Sequence, residues 1–206
     1  MHFRLHIISI ISGLMILLPY ASCAWAGDFS RIRNFDKGWK FSLGSPDAES
    51  RTVDLPHDWA IEGDFSKDNP SGTGGGALPG GTGWYSKTFT LPASDAGKQV
   101  YIDFDGAYMN STVSINGHVL GTRPYGYASF SYDLTPWLRK GENLIEVKVD
   151  NAEQPNSRWY SGCGIYRHVR LRVVDPVHIA QWGVFVRQDS VSAARAALTI
   201  ETKVEN

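Results

Sequence analysis

Arg158, Trp159 and Tyr160 place a guanidinium, an indole and a phenol side by side, in a stretch from Asp150 to Val174 that also carries carboxylate and amide groups. A sugar ring has apolar C–H faces and hydroxyl edges, so aromatic faces beside charged and amide groups suit it chemically. A second reading stays open, in which Trp159 and Tyr160 plug the open end of a β-sandwich or pack on a neighbouring domain. Other reactive residue types point to weaker chemistry. Asp54, Asp58, Glu62 and Asp64 are carboxylates scattered through a loop, where such groups ordinarily hydrogen-bond to turns rather than act as an acid–base pair. His57 precedes Asp58, but adjacent residues seldom converge on one ion and no second histidine or cysteine has ligand spacing. Capping of the local backbone by Asp58 is the expected role. Ser161 and Cys163 sit among glycines, as a nucleophile elbow would, yet a strand rather than a helix follows them. No catalytic residue, metal or cofactor is therefore assigned.

The elements that position Arg158 and Trp159 are two runs of strict alternation. Ile145, Val147 and Val149 face one way while Glu146, Lys148 and Asp150 face the other, and Val169, Leu171 and Val173 oppose His168, Arg170 and Arg172. Both are half-buried strands by period. Pro155, Gly162 and Gly164 shape the loop between them. Upstream, Trp39 and Phe41 share a face of a short strand, Arg51 to Leu55 forms another, and Pro56 to Phe65 is an ordered loop. Ser66 to Gly83 is a long glycine-rich surface loop of the kind that forms binding rims, with no lysine–serine signature of a phosphate cradle. Trp84 to Leu91 and Gln99 to Phe104 are expected to pair with each other. Ser111 to Ile115 and His118 to Arg123 flank Asn116-Gly117, the strongest short hairpin signal. Ser129 to Leu134 is a further strand, and Thr135 to Lys140 a single helical turn. Gly183 to Arg187 and Ala196 to Val204 resume alternation after Asp175-Pro176 and read as strands without a sheet of their own. The pattern is all-β, an antiparallel β-sandwich of the jelly-roll kind.

Composition narrows the partners. With 20 basic and 21 acidic residues the net charge is −1, which offers no footprint for nucleic acid or an anionic membrane. His2, Arg4 and His6 precede an apolar run from Ile7 to Leu18, with Ala24-Trp25-Ala26 at a cleavage position, the layout of a signal peptide over residues 1–26. The run is too short for a stable membrane span. Lipid attachment at Cys23 is the alternative, although Tyr20 stands where an aliphatic residue is usual. Export leaves the periplasm, the cell surface and the medium open. After cleavage only Cys163 remains, so no internal disulfide forms.

Taken together, Pro56-His57-Asp58-Trp59, Gly83-Trp84-Tyr85, Val113-Ser114-Ile115-Asn116-Gly117, Arg158-Trp159-Tyr160-Ser161-Gly162 and Gly164-Ile165-Tyr166-Arg167 resemble the N-terminal sugar-binding domain of glycoside hydrolase family 2, the β-galactosidase and β-glucuronidase family. The resemblance implies a jelly roll over residues 27–175 and, over 176–206, the start of an immunoglobulin-like domain. It implies that Asp150 and Asn151 present polar groups to the substrate pocket, with Arg158 and Trp159 at the same junction. The partner implied is a β-galactoside or related glycan, together with a catalytic barrel of the same polypeptide. A retaining glycosidase needs two carboxyl groups about 5 Å apart, in this family glutamates of that barrel. No alternating βα segments occur in the sequence to build one. A free-standing carbohydrate-binding module and a structural spacer are the competing classes, and the strands after Asp175 argue against the first.

Overall fold

The computed structural model describes residues 3–5 and 31–206, so the leader read over residues 1–26 lies outside the described residues except for one short strand. The strands in chain order are β1 (Phe3–Leu5), β2 (Ile32–Asn34), β3 (Trp39–Leu43), β4 (Arg51–Val53), β5 (Gly81–Thr90), β6 (Gln99–Phe104), β7 (Ser111–Ile115), β8 (His118–Arg123), β9 (Phe130–Asp133), β10 (Glu142–Asn151), β11 (Val169–Val174), β12 (His178–Val191) and β13 (Ala196–Glu205). Helical structure among the described residues is confined to short 3₁₀ turns, at Ala60–Glu62, Thr73–Gly75, Ala93–Asp95 and Thr135–Trp137. None is long and apolar enough to cross a membrane. The chain is all-β, and its contacts divide it into two units, residues 30–173 and a second unit containing residues 174–206.

The first unit is a jelly roll of two sheets. One has six strands in the order β4-β3-β5-β10-β7-β8, the other four in the order β2-β11-β6-β9. The alternation in the sequence explains both layers. Along β10, Asn143, Ile145, Val147, Val149 and Asn151 are buried and the residues between them are not, so one face of the strand meets the opposite sheet. Val169, Leu171 and Val173 of β11 fill the facing layer. Trp39, Tyr85, Ile102, Phe104, Ile115, Leu134, Ile145 and Ile165 are fully buried between the sheets, each worth about 1.5–3 kcal/mol against exposure.

Two strand expectations change. β5 and β6 do not pair: β5 lies between β3 and β10, while β6 lies in the other sheet beside β9. Tyr85 of β5 and Val100, Ile102 and Phe104 of β6 are buried in one core from the two sheets, which pairing side by side in one sheet would not achieve. The strands after Asp175 do have a sheet. β12 and β13 pair antiparallel, with Val186 opposite Ile200, and β1 lies on the other edge of β13. The Asn116-Gly117 hairpin forms as expected, with φ of 52° and 83° at the two turn residues and β7 paired to β8.

Candidate functional site

The loop that follows β10 is held by residues from three distant parts of the chain. Asp58 is the main tie. Its Oδ1 accepts hydrogen bonds from the backbone N–H of Ala60 at 3.0 Å and of Cys163 at 2.9 Å, and its Oδ2 accepts from the Tyr160 hydroxyl. The backbone adds His57 N–H to Ile165 O and Trp59 N–H to Cys163 O. The capping role read from the sequence for Asp58 thus extends over a segment more than a hundred residues away.

Beneath this knot, four buried rings and two glycines interlock. The Trp59 indole donates Nε1–H to Gly80 O at 3.1 Å and stacks on Phe41. A β-carbon at Gly83 would lie 2.5 Å from the Trp59 ring, so only glycine lets the indole lie against β5. At Gly164, φ is +123° and a β-carbon would stand 2.4 Å from the Tyr85 hydroxyl and 2.6 Å from His57 O. His57 is buried between Tyr85 and Arg51. Because a guanidinium only donates, the 3.2 Å contact from Arg51 Nη2 leaves the lone pair on Nε2 and the proton on Nδ1, which faces the Tyr85 hydroxyl at 2.7 Å. Glu62 approaches the same Nε2 at 3.4 Å. Burial is the largest influence on His57 and holds its pKa below the usual value, with Arg51 acting in the same direction and Glu62 against it. Burial likewise lifts the Tyr85 phenol well above its usual range, and pushes the Cys163 thiol up to about 11. That thiol is protonated near neutrality, which is the inert rather than the reactive case.

The four predicted site residues fall into two groups. Arg158 and Trp159 are exposed at the tip of the anchored loop, Trp159 at 80% of its full accessible area. Trp159 therefore does not plug the sandwich, whereas Trp59 and Tyr85 are buried in its core. Tyr160 rests against Gly76 of the glycine-rich loop, so the two loops form one rim. Asp150 ends the outer face of β10. Its carboxylate pairs with Lys148 Nζ at 2.8 Å and accepts a bond from Thr82 Oγ1 at 3.1 Å, and Lys148 first, then Ala152 N–H and Thr82, draw its pKa down against the effect of burial. Asp150 is a permanent anion at neutral pH. It lines a cleft of about 260 Å³ with Met109, Asn110, Asn151, Glu153 and Asn156.

Asn151 joins the two groups. It is buried, and its Nδ2 donates to Gly162 O at 3.1 Å and Cys163 Sγ at 3.0 Å, while Oδ1 accepts from Asn156 Nδ2 at 2.5 Å. The side chain is spent on holding the loop and is available to a ligand only along the Asn156 side. The small cavity that Asn151 shares with Trp159 and Tyr160 measures about 10 Å³, room for a water and not for a sugar. Among the described residues no group of three histidine, cysteine or acidic side chains is placed to hold a metal ion.

Residues that the sequence did not single out lie next to the residues that line the cleft. Tyr125 and Tyr127 stand exposed beside it, linked through Tyr108, whose hydroxyl donates to Asn156 Oδ1 at 3.3 Å. The available signal was Pro124-Tyr125-Gly126-Tyr127, aromatics alternating with a glycine in a loop between strands.

Residues 27–175 match the sugar-binding domain of the glycosyl hydrolases family 2. The chain belongs to glycoside hydrolase family 2. A β-galactosidase of Bacteroides ovatus, BoGH2A, is 58% identical over 183 residues, covering 84% of this chain and 22% of that protein. A β-glucuronidase of Formosa agariphila is 34% identical over 206 residues, covering 84% of this chain and 21% of its own length. The crystal structure of a β-glycosidase from Bacteroides vulgatus superposes with a TM-score of 0.81 at 45% identity, covering 84% of this chain and 24% of the other. The chain thus spans about a fifth to a quarter of the length of the family members it matches. Within the family 2 chain, Gly164-Ile165 and Pro56-His57-Asp58-Trp59 are the two sides of the Asp58 knot, and Tyr85 of the Gly83-Trp84-Tyr85 motif packs beneath it.

Proposed function

We propose that this chain is the substrate-side part of an exported, β-galactosidase-like retaining glycosidase, in which it walls the sugar pocket while a barrel outside these residues carries both catalytic glutamates. The observation that supports the reading most directly is the exposed Arg158-Trp159 tip on a loop tied down by Asp58, beside the anionic Asp150 cleft. The exposed indole offers a flat apolar face that matches the C–H face of a galactoside. The Arg158 guanidinium beside it can donate to the hydroxyl edges of such a ring. The 58% identity to a β-galactosidase favours a galactoside over a glucuronide. The layout of residues 1–26 supports export, with a reporter fused behind Ala26 as its direct test.

Galactose titrated into the purified chain is expected to perturb tryptophan fluorescence, and Trp159→Ala to abolish the change without moving the thermal midpoint. A response that persists in the variant places the sugar elsewhere. The chain by itself is expected to leave a chromogenic β-galactoside intact. Turnover that copurifies with the polypeptide overturns the assignment of chemistry to a separate barrel.

A further inference from the structure

Pro124-Tyr125-Gly126-Tyr127 carries two of the exposed aromatic rings of the first unit, and neither belongs to the Arg158-Trp159 tip. Tyr125 retains 64% and Tyr127 53% of its accessible area, and their ring centroids lie 5.7 Å apart. The loop that carries them is fixed from three sides. Tyr166 donates its hydroxyl to Gly126 O at 2.9 Å, Asn110 N–H reaches Pro124 O at 3.3 Å, and the Tyr108 ring lies so close to Gly126 that a β-carbon there would come within 2.2 Å of it. The backbone that carries two large exposed rings is thus fixed before any ligand arrives, which lowers the ordering cost of binding.

The cleft beside them is polar. Tyr127 packs on Tyr108 with centroids 5.2 Å apart, Tyr108 bonds to Asn156, and Asn156 lines the ≈ 260 Å³ space with Asp150, Glu153 and Asn110. That volume suits a single sugar ring, and the tyrosines extend the surface past it. We infer that Tyr125 and Tyr127 form a second carbohydrate subsite, which stacks the next sugar of a neutral oligosaccharide whose neighbouring ring occupies the Asp150 cleft. This inference rests on the glycan reading of the cleft given above. Neutral chains are favoured because the lining of the cleft carries the carboxylates of Asp150 and Glu153 and, among the described residues, no lysine or arginine, with Lys148 paired to Asp150 as the one cation shown beside it.

The test compares galactose with a β-1,4-linked galactotriose on this chain, by chemical-shift titration, in the unaltered protein and in Tyr125→Ala, Tyr125→Phe and Asp150→Ala. Tyr125 touches only the Tyr127 ring among the aromatic contacts here, so its loss leaves the loop anchors intact, as a thermal melt will verify. The expected result is tighter binding of the trisaccharide than of galactose, a gain of about tenfold that Tyr125→Ala removes, Tyr125→Phe keeps and galactose affinity does not share. Equal affinity for both sugars, or a gain untouched by Tyr125→Ala, overturns the subsite and leaves the cleft standing. Silence toward galactose and trisaccharide alike, or binding of both unchanged in Asp150→Ala, overturns the glycan reading of the cleft, and the subsite with it.

Discussion

Asp58 accepts three hydrogen bonds from two segments that meet only in the folded chain. Replacing it with alanine leaves Ala60 and Cys163 N–H groups without a partner, and a part-buried donor so abandoned costs about 1–3 kcal/mol. Asp58→Ala is expected to lower stability by about 2–4 kcal/mol in urea titrations and to speed hydrogen exchange through residues 158–163. Asp58→Asn keeps an Oδ1 acceptor and should lose less. His57 gives a pH dependence with a definite sign. Its pKa is held below the ordinary histidine value of 6.5 in the folded chain, so the unfolded chain binds the proton first on acidification. The stability contributed by neutral His57 is complete above that value and is lost as pH falls through the interval below it. The thermal midpoint should therefore fall between about pH 7.5 and pH 5.5, and fall less in His57→Gln, as followed by circular dichroism. Equal slopes in both proteins would remove His57 from the account.

The β7–β8 hairpin shows how far an element exceeds its sequence signal. Asn116-Gly117 was legible as a turn because both residues take positive φ, which few other residue pairs do cheaply. What the turn could not reveal is the Asn116 side chain. Its Nδ2 donates to Trp137 O at 2.8 Å and Asn143 Oδ1 at 2.9 Å, and its Oδ1 accepts from Leu144 N–H at 3.0 Å. The hairpin is thereby fastened to β10 and to the 3₁₀ turn at Thr135–Trp137. Asn116→Gly preserves the backbone freedom and deletes all three bonds, so a loss of about 2 kcal/mol in denaturant melts is expected. A neutral substitution would mean that φ alone mattered. The misassigned pairing of β5 with β6 has the opposite lesson: alternation identifies a strand and its buried face, but carries no information about which neighbour it bonds to.

At the scale of the molecule, every member of the jelly-roll core lies between Phe35 and Val173. A polypeptide of residues 27–175 is therefore expected to unfold cooperatively, with a thermal midpoint within a few degrees of the longer chain. A non-cooperative melt would show that the core draws on residues past 175. The sequence by itself determined most of the strands, the faces they bury, the all-β class and the family, because these depend on local periodicity, turn chemistry and short motifs; the three-residue strands β1 and β2 are too short to show a period. It placed Arg158 and Trp159 on the loop after Asp150 but left open whether Trp159 points outward or into the sandwich, which the fold decides. Only the tertiary structure decided that Asn151 is consumed by its own loop, that Asp58 ties the site together, and that Tyr125 and Tyr127 stand beside Asp150. Each of those facts is a contact between segments far apart in the chain, and such contacts arise when two sheets close on one core.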